Sequence, residues 1–230
     1  MIKLSIDAMS GDSGAGIVVD ACKSFINTHS DAYLYVTGRK EELTSLEGNE
    51  RIEIVDARDV IDMEAGIMVV RRKKDSSMVK AVVYANEGIS DAVVSCGSTG
   101  AFYTSAMLFL KKIEGIDKSC LMANIPNYDG KGVLMLDVGA NANNTAEHLK
   151  GFATMGNVYA KSIKGIKNPR IALLNIGTES KKGGEVHQET FKLLSEDSSL
   201  NFVGNIEGRD ILFGHCDVVV TDGFSGNIVL

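Results

Sequence analysis

The stretch Val218-Val219-Val220-Thr221-Asp222-Gly223-Phe224-Ser225-Gly226-Asn227 decides the fold. Three consecutive valines read as a strand buried on both faces, the pattern of a parallel sheet covered by helices. A carboxylate, two glycines, a hydroxyl and an amide follow at once. In open α/β sheets, ligands bind in the crevice beyond the carboxyl ends of the strands. Glycine there permits positive φ and lets a ligand approach the backbone closely. Ile228-Val229-Leu230 reads as the start of a helix. Chain termini are ordinarily expendable, so a site loop among the last ten residues predicts a working protein longer than these 230 residues.

Outward from that stretch, strand and helix patterns alternate. Strands are expected at 2–8, 33–37, 51–55, 91–95, 120–125, 133–138, 170–175, 202–205 and 217–220. Helical spacing of apolar residues marks 17–27, where Val18, Ala21, Cys22, Phe25 and Ile26 share a face, and also 67–70, 78–86, 101–112, 144–163 and 185–195. Strands separated by such helices imply βαβ units and a largely parallel sheet. The expected fold class is therefore α/β, with residues 1–230 as a single domain and a weak division near 112–119. No internal repeat or low-complexity tract interrupts it.

Composition narrows the function classes. Hydrophobic residues at 44% and charged residues at 23% describe an ordinary soluble globular protein able to bury a sizeable core. Two prolines leave no room for Pro-rich linkers. A net charge of −6, no Trp and 6% aromatics disfavour a nucleic-acid binder that works through basic grooves and base stacking. Cys22, Cys96, Cys120 and Cys216 lie far apart, so zinc and thioredoxin-type chemistry find no support and reduced, mostly buried thiols are expected. The amino terminus lacks a signal-peptide pattern. No apolar run approaches the roughly 18 residues of a membrane span.

Five polar, Gly-rich loops follow expected strands, at 7–16, 97–100, 137–144, 177–185 and 221–227. In one parallel sheet all five converge on one edge. Helix N-termini there suit anions. Ser98 and Thr99 offer hydroxyls ahead of a helix, as anion donors or as N-caps. Lys181 and Lys182 are point-charge partners for phosphate or a solvated surface pair. Asp7, Asp12, Asp137 and Asp222 either gather around a cation or satisfy loop N–H groups, the commoner use. His29, His148, His187 and His215 have no metal-ligand spacing, and neither G-x-G-x-x-G after a strand nor a Walker sequence occurs. No metal and no cofactor is expected. Arg71-Arg72-Lys73-Lys74 is a dense basic run in an acidic chain, either a solvated helix end or a docking patch for an acidic partner.

Eight segments stand out in order along the whole chain. They are Asp7-Ala8-Met9-Ser10-Gly11-Asp12, Arg71-Arg72-Lys73-Lys74-Asp75-Ser76-Ser77-Met78, Ser98-Thr99-Gly100-Ala101 and Asp129-Gly130-Lys131-Gly132. Leu136-Asp137-Val138-Gly139-Ala140-Asn141, Leu173-Leu174-Asn175-Ile176-Gly177, Asn205-Ile206-Glu207-Gly208-Arg209-Asp210 and Asp222-Gly223-Phe224-Ser225-Gly226-Asn227 complete the set. Together they resemble the bacterial phosphate acyltransferases, which act on acyl carrier protein and phosphate in phospholipid synthesis. The chain departs from the family pattern at Ser10 and Gly184, where Gly and Asn are usual, and lacks a Pro after Asp12. The resemblance implies a Rossmann-like three-layer α/β/α fold, similar to isopropylmalate dehydrogenases and phosphotransacetylases. It also implies a homodimer with its site near the interface, a cytoplasmic location and peripheral membrane contact through a segment beyond Leu230. The implied reaction converts a long-chain acyl thioester on acyl carrier protein, with inorganic phosphate, into acyl phosphate for phosphatidic acid synthesis.

For that reaction the resemblance assigns Lys182 to neutralising phosphate and the transition state, and Asn227 to donating an amide hydrogen. Gly97, Ser98, Thr99, Gly100, Gly223, Ser225 and Gly226 are expected to bind phosphate or the oxyanion. Asp7, Asp137, Asn141 and Asp222 organise the loops. Arg71, Arg72, Lys73 and Lys74 meet the acidic carrier protein or phosphate. A covalent nucleophile is unnecessary: phosphate attacks directly, and the departing thiolate resembles that of Cys, with a pKa of about 8.5. Rival readings are a phosphotransacetylase acting on short acyl-CoA, a metal- and NAD-dependent decarboxylating dehydrogenase, and a non-catalytic carrier-protein scaffold.

Overall fold

Two sheets carry the chain, and a computed structural model describes residues 1–64 and 66–230 of it. The chain divides into two compact units, Met1–Ile113 and Glu114–Leu230, at the foot of the 112–119 segment. In the first unit β1 (Ile2–Asp7), β2 (Ala32–Gly38), β3 (Ile52–Asp56) and β4 (Ala92–Ser95) form a parallel sheet of order β3-β2-β1-β4. Helix α1 (Gly14–Thr28) buries Ala15, Val18, Val19, Cys22 and Ile26, an i, i+3, i+4, i+7 stripe, against Ile6, Leu34 and Val36.

The opposite face of β1 takes α4 (Ser77–Asn86), which buries Met78, Val79, Ala81 and Val82 and is tied to the sheet by polar contacts. Ser5 Oγ donates to the Ala81 carbonyl at 2.8 Å, and the Thr37 hydroxyl lies 2.8 Å from the Ser77 carbonyl. Between β2 and α4 lie the short helices α2 (Lys40–Leu43) and α3 (Ile67–Arg72), and α5 (Thr99–Phe109) closes the unit. The strand at 91–95 is the sheet's last: β4 pairs with β1 alone, and Val94 is 45% exposed.

The second unit holds β5 (Met122–Ile125), β6 (Val133–Leu136), β7 (Arg170–Leu174), β8 (Asn201–Ile206) and β9 (Val218–Val220) in the order β5-β6-β9-β7-β8. Only the β5–β6 pair is antiparallel, joined through the turn at 127–130. Val218, Val219 and Val220 are fully buried, as a central strand demands. Alternate residues face two cores. Leu134, Leu136, Ile171, Leu173, Val218 and Val220 meet α6 (Ala146–Ser162) and α7 (Glu185–Ser195), while Val133, Met135, Ala172, Leu174 and Val219 meet Ile211 and Cys216. Helix α6 reaches the sheet through Gly156, where a Cβ would stand 2.5 Å from Val218 Cγ1. The chain ends in α8 (Gly223–Val229).

All nine strands fall where alternating patterns place them, to within two residues at either end. The five loops do not belong to one sheet, as the expectation of a single parallel sheet required. The loops at 7–16 and 97–100 belong to the four-stranded sheet, and those at 137–144, 177–185 and 221–227 to the five-stranded one. Stretch 221–227, read as a loop, is mostly the first turns of α8, because Asp222 caps a helix that starts at Gly223.

Candidate active site

At the carboxyl edge of the first sheet, Asp7 is buried and ringed by donors. Ser77 Oγ donates to Oδ1 at 2.5 Å, Ser95 Oγ to Oδ2 at 2.7 Å, and the Met9 N–H reaches Oδ1 at 3.3 Å. The Gly97 N–H donates to Ser95 Oγ at 3.1 Å, so it extends this network instead of standing open to a ligand. Gly97 also lets two loops touch: a Cβ there would lie 2.6 Å from Ser10 Cβ and 2.7 Å from Met78 Cε. Ser98 caps α5, its Oγ accepting the Ala101 N–H at 3.4 Å. Acceptance leaves the hydroxyl proton of Ser98 able to donate outward. Thr99 and Gly100 form the first turn of that helix, where N–H groups lack intrahelical partners.

The basic run splits. Lys73 Nζ turns inward to the Val60 carbonyl at 2.6 Å, with Asp62 4.0 Å away. Arg71, Arg72 and Lys74 are exposed, and their side chains make no hydrogen bond or ion pair among the described residues.

The second unit gathers the larger set. Strands β6, β9 and β7 are adjacent and parallel, so the loops that follow them leave the same edge. Asp137, fully buried after β6, uses both oxygens: Oδ1 accepts the N–H groups of Leu121 and Ala140 at 3.0 Å, and Oδ2 accepts Asn141 N and Nδ2 at 2.8 Å. Asn141 also ties Nδ2 to the Ser119 carbonyl at 2.8 Å and accepts the Gly223 N–H at 2.9 Å. Two glycines of α8 are required by this cradle. A Cβ at Gly223 would sit 2.8 Å from Asn141 N, and one at Gly226 only 1.9 Å from the Asp137 carbonyl oxygen.

Asp222 caps α8 by accepting both the N–H and the hydroxyl of Ser225, each at 2.8 Å. The Ser225 proton is therefore committed to Asp222, and only its lone pairs face outward. Asn227 is exposed and lies against Gly139 (a Cβ at 139 would be 3.2 Å from Asn227 Oδ1), and its side chain makes no hydrogen bond among the described residues.

Lys182 stands on the β7–α7 loop, its side chain 46% exposed and its Nζ 3.9 Å from Glu179 Oε1. The stem crosses Gly177, where a Cβ would be 3.0 Å from Lys182 Cγ. Two asparagines hold this loop: Asn175 Nδ2 donates to the Lys182 carbonyl at 3.1 Å, and Asn205 Nδ2 to the Glu179 carbonyl at 2.8 Å. Gly183, at φ +79°, makes the turn into α7 and leaves no room for a Cβ against His187 and Asn175.

Sequence reasoning missed the supports: Ser77 and Ser95 under Asp7, Asn175 and Asn205 under the lysine loop, and Ser119 and Leu121 behind Asp137. Asn175 and Asn205 stand at or beside strand ends in segments already singled out, and an amide at the carboxyl end of a parallel strand was the available signal. Among the described residues, no group of three or more His, Cys, Asp or Glu side chains is placed to hold a metal ion. Burial pushes the thiols of Cys120 and Cys216 up to about 12 and that of Cys22 to about 11, far from nucleophilic use near neutrality. The arrangement offers a lysine ammonium, amide and helix N–H donors on buried carboxylate supports. That set positions and neutralises an anion.

The chain matches the model of the fatty acid synthesis protein family over residues 2–230. A phosphate acyltransferase of Bacillus pumilus is 45% identical over 231 residues, which cover 100% of this chain and 69% of the relative. One of Streptococcus pneumoniae is 43% identical over 232 residues, covering 100% and 70%. In fold, the chain is similar to the EutD phosphotransacetylase of Staphylococcus aureus, with a TM-score of 0.70, 16% identity, and coverage of 99% of this chain and 79% of that one. A branched-chain phosphotransacylase of Enterococcus faecalis gives 0.66 at 17% identity, covering 100% and 82%. The likeness bears out the Rossmann-like three-layer α/β class. The chain belongs to the fatty acid synthesis protein family and is an enzyme of the phosphate acyltransferase kind, one that transfers an acyl group to phosphate.

Proposed function

We propose that the acyl donor is a long-chain thioester of acyl carrier protein and that the product, acyl phosphate, supplies phosphatidic acid synthesis. The observation that carries the chemical part is the placement of Lys182 on the loop that follows β7 and of Asn227 on α8, the helix that follows the adjacent strand β9. Phosphate dianion attacks the thioester carbonyl. The C–O bond forms, the C–S bond breaks, and the phosphate proton ends on the carrier thiolate. Lys182 neutralises charge on phosphate as the tetrahedral oxyanion develops, and the Asn227 amide donates to phosphate or to that oxyanion. Asp137, Asn141 and Asp222 keep those groups in place from behind. Ser98, Thr99 and Gly100 supply a second set of anion donors at the start of α5.

The carrier-protein donor is supported by the exposed cations Arg71, Arg72 and Lys74, whose side chains form no ion pair among the described residues and whose potential suits an acidic partner. Homodimerisation, a cytoplasmic location and peripheral membrane contact belong to the same proposal. Among the described residues no helix is long and apolar enough to cross a membrane.

The donor is tested by offering palmitoyl carrier protein and acetyl-CoA separately and in competition, with phosphate as acceptor. The expected result is turnover of the carrier-protein thioester, with acetyl-CoA a poor competitor. Preferential turnover of acetyl-CoA would move the enzyme to the short-acyl class, and carrier-protein binding without turnover would make it a scaffold.

A further inference from the structure

Helix α6 opens on a capping box with an unusual member. The reciprocal pattern ordinarily pairs a Ser or Thr N-cap with Glu or Gln three residues on; here Thr145 is answered by His148. Thr145 Oγ accepts the His148 N–H at 3.4 Å, and His148 Nδ1 accepts the Thr145 N–H at 3.1 Å. On the far side of the ring, Nε2 lies 3.1 Å from Asp117 Oδ2. A carboxylate only accepts, so Nε2 carries the ring proton and Nδ1 is bare. The neutral Nε2–H tautomer satisfies both neighbours. A second proton, on Nδ1, would face the Thr145 N–H donor and open the box.

That box closes the loop holding the site supports. Asn144 Nδ2 donates to the Asn141 carbonyl at 2.9 Å, and Lys118 Nζ to the Asn143 carbonyl at 2.7 Å. Through Asn141 the loop reaches Asp137 and Gly223. The charged groups lining the cleft of about 430 Å³ around His148 are Asp117 and Lys118 from the preceding segment and Glu147 from α6 itself. The Asp117 side chain is 89% exposed.

We propose that His148 is a positioning residue whose neutral form holds the loop at 137–145, so that acidification through the range where histidines charge loosens the loop and lowers turnover. Histidine is the side chain suited to this, because its charge ordinarily changes between pH 5 and 8. The turnover part rests on the acyl-transfer reading of the site; the loop part does not.

The test compares the wild-type chain with His148→Gln, which keeps the reciprocal cap without a titrating ring. At pH 8 the ¹⁵N imidazole spectrum is expected to show the proton on Nε2. Between pH 8 and 5.5, protection of the Thr145 amide from exchange, corrected for intrinsic rate, is expected to fall about fivefold in the wild type and to stay level in the variant. The wild-type to variant ratio of phosphate-dependent turnover is expected to fall in parallel. An Nδ1–H tautomer, or protection that falls equally in both proteins, overturns the proposal. Diverging protection without acyl transfer in either protein would sink the acyl-transfer reading and leave the loop inference standing. The wild-type spectrum and exchange decide the matter alone if the variant does not fold.

Discussion

Lys182 and Asn227 differ in kind from the residues that hold them. Among the described residues the Lys182 ammonium has one weak partner, Glu179 at 3.9 Å, and the Asn227 side chain has none, while Asp137 uses both oxygens on four donors. Groups with unsatisfied donors act on a ligand, and groups with every lone pair engaged act on the protein. Lys182→Ala and Asn227→Ala are therefore expected each to lower turnover by ~100-fold or more with the fold retained, the usual cost of losing one preorganised anion donor. Turnover with circular dichroism checks this, and near-normal rates remove the residue concerned from the mechanism.

At this scale the sequence was legible where chemistry and motif coincide. Asp7, Asp137 and Asp222 were readable as loop carboxylates; Asp7 and Asp137 accept loop N–H groups, and Asp222 caps α8. Ser77 and Ser95 were not readable as Asp7's partners, because that contact joins residues 70 and 88 positions apart. Ser225 and Gly97 were readable as polar loop positions, but which partner takes the Ser225 proton or the Gly97 N–H is fixed only by the fold.

Helix α8 carries the element-scale argument. Gly226 lies inside it, where Ala would ordinarily gain about 1 kcal/mol in helix propensity. A Cβ there would instead stand 1.9 Å from the Asp137 carbonyl oxygen, a backbone atom that cannot step aside. Gly226→Ala is expected to destabilise by about 1–3 kcal/mol, the range for overpacking. Chemical denaturation gives the sign, and a stabilised variant would show that α8 does not press on the Asp137 loop as described.

A second element-scale prediction concerns the turn after α7. The Ser199 hydroxyl, the Lys150 ammonium and the Ser199 N–H hold the Asp197 carboxyl at about 2, below the ordinary 3.8. A depressed carboxylate stabilises the fold above its unfolded value, and that contribution is lost as pH falls through the folded value. The melting-temperature advantage of wild type over Asp197→Asn is thus expected to hold from pH 7 to about 4 and to shrink between about 4 and 2. An advantage that does not change across that window would contradict it. Elements themselves were legible because periods of two and 3.6 residues are local. The start of α8 was missed because glycines at 223 and 226 read as loop, although an Asp with Ser three residues on is an N-cap signal.

For the whole molecule, five site-type loops were readable but their distribution was not. Pattern identifies strands without saying which of them pair, and parallel pairing joins residues far apart in sequence. The five loops accordingly divide between a four-stranded and a five-stranded sheet, two with the first and three with the second. Lys182, Asn227, Asp137, Asn141 and Asp222 share the second unit, and the basic run with Ser98 and Thr99 belongs to the first. The central claim is that this molecule uses inorganic phosphate itself as acyl acceptor. The measurement that tests it most directly follows free thiol released from palmitoyl carrier protein, with and without phosphate, while hydroxylamine traps the acyl product. The account predicts thiol release that depends on phosphate and saturates with it, matched mole for mole by trapped acyl phosphate. Thiol release at the same rate without phosphate, yielding free fatty acid, would contradict it.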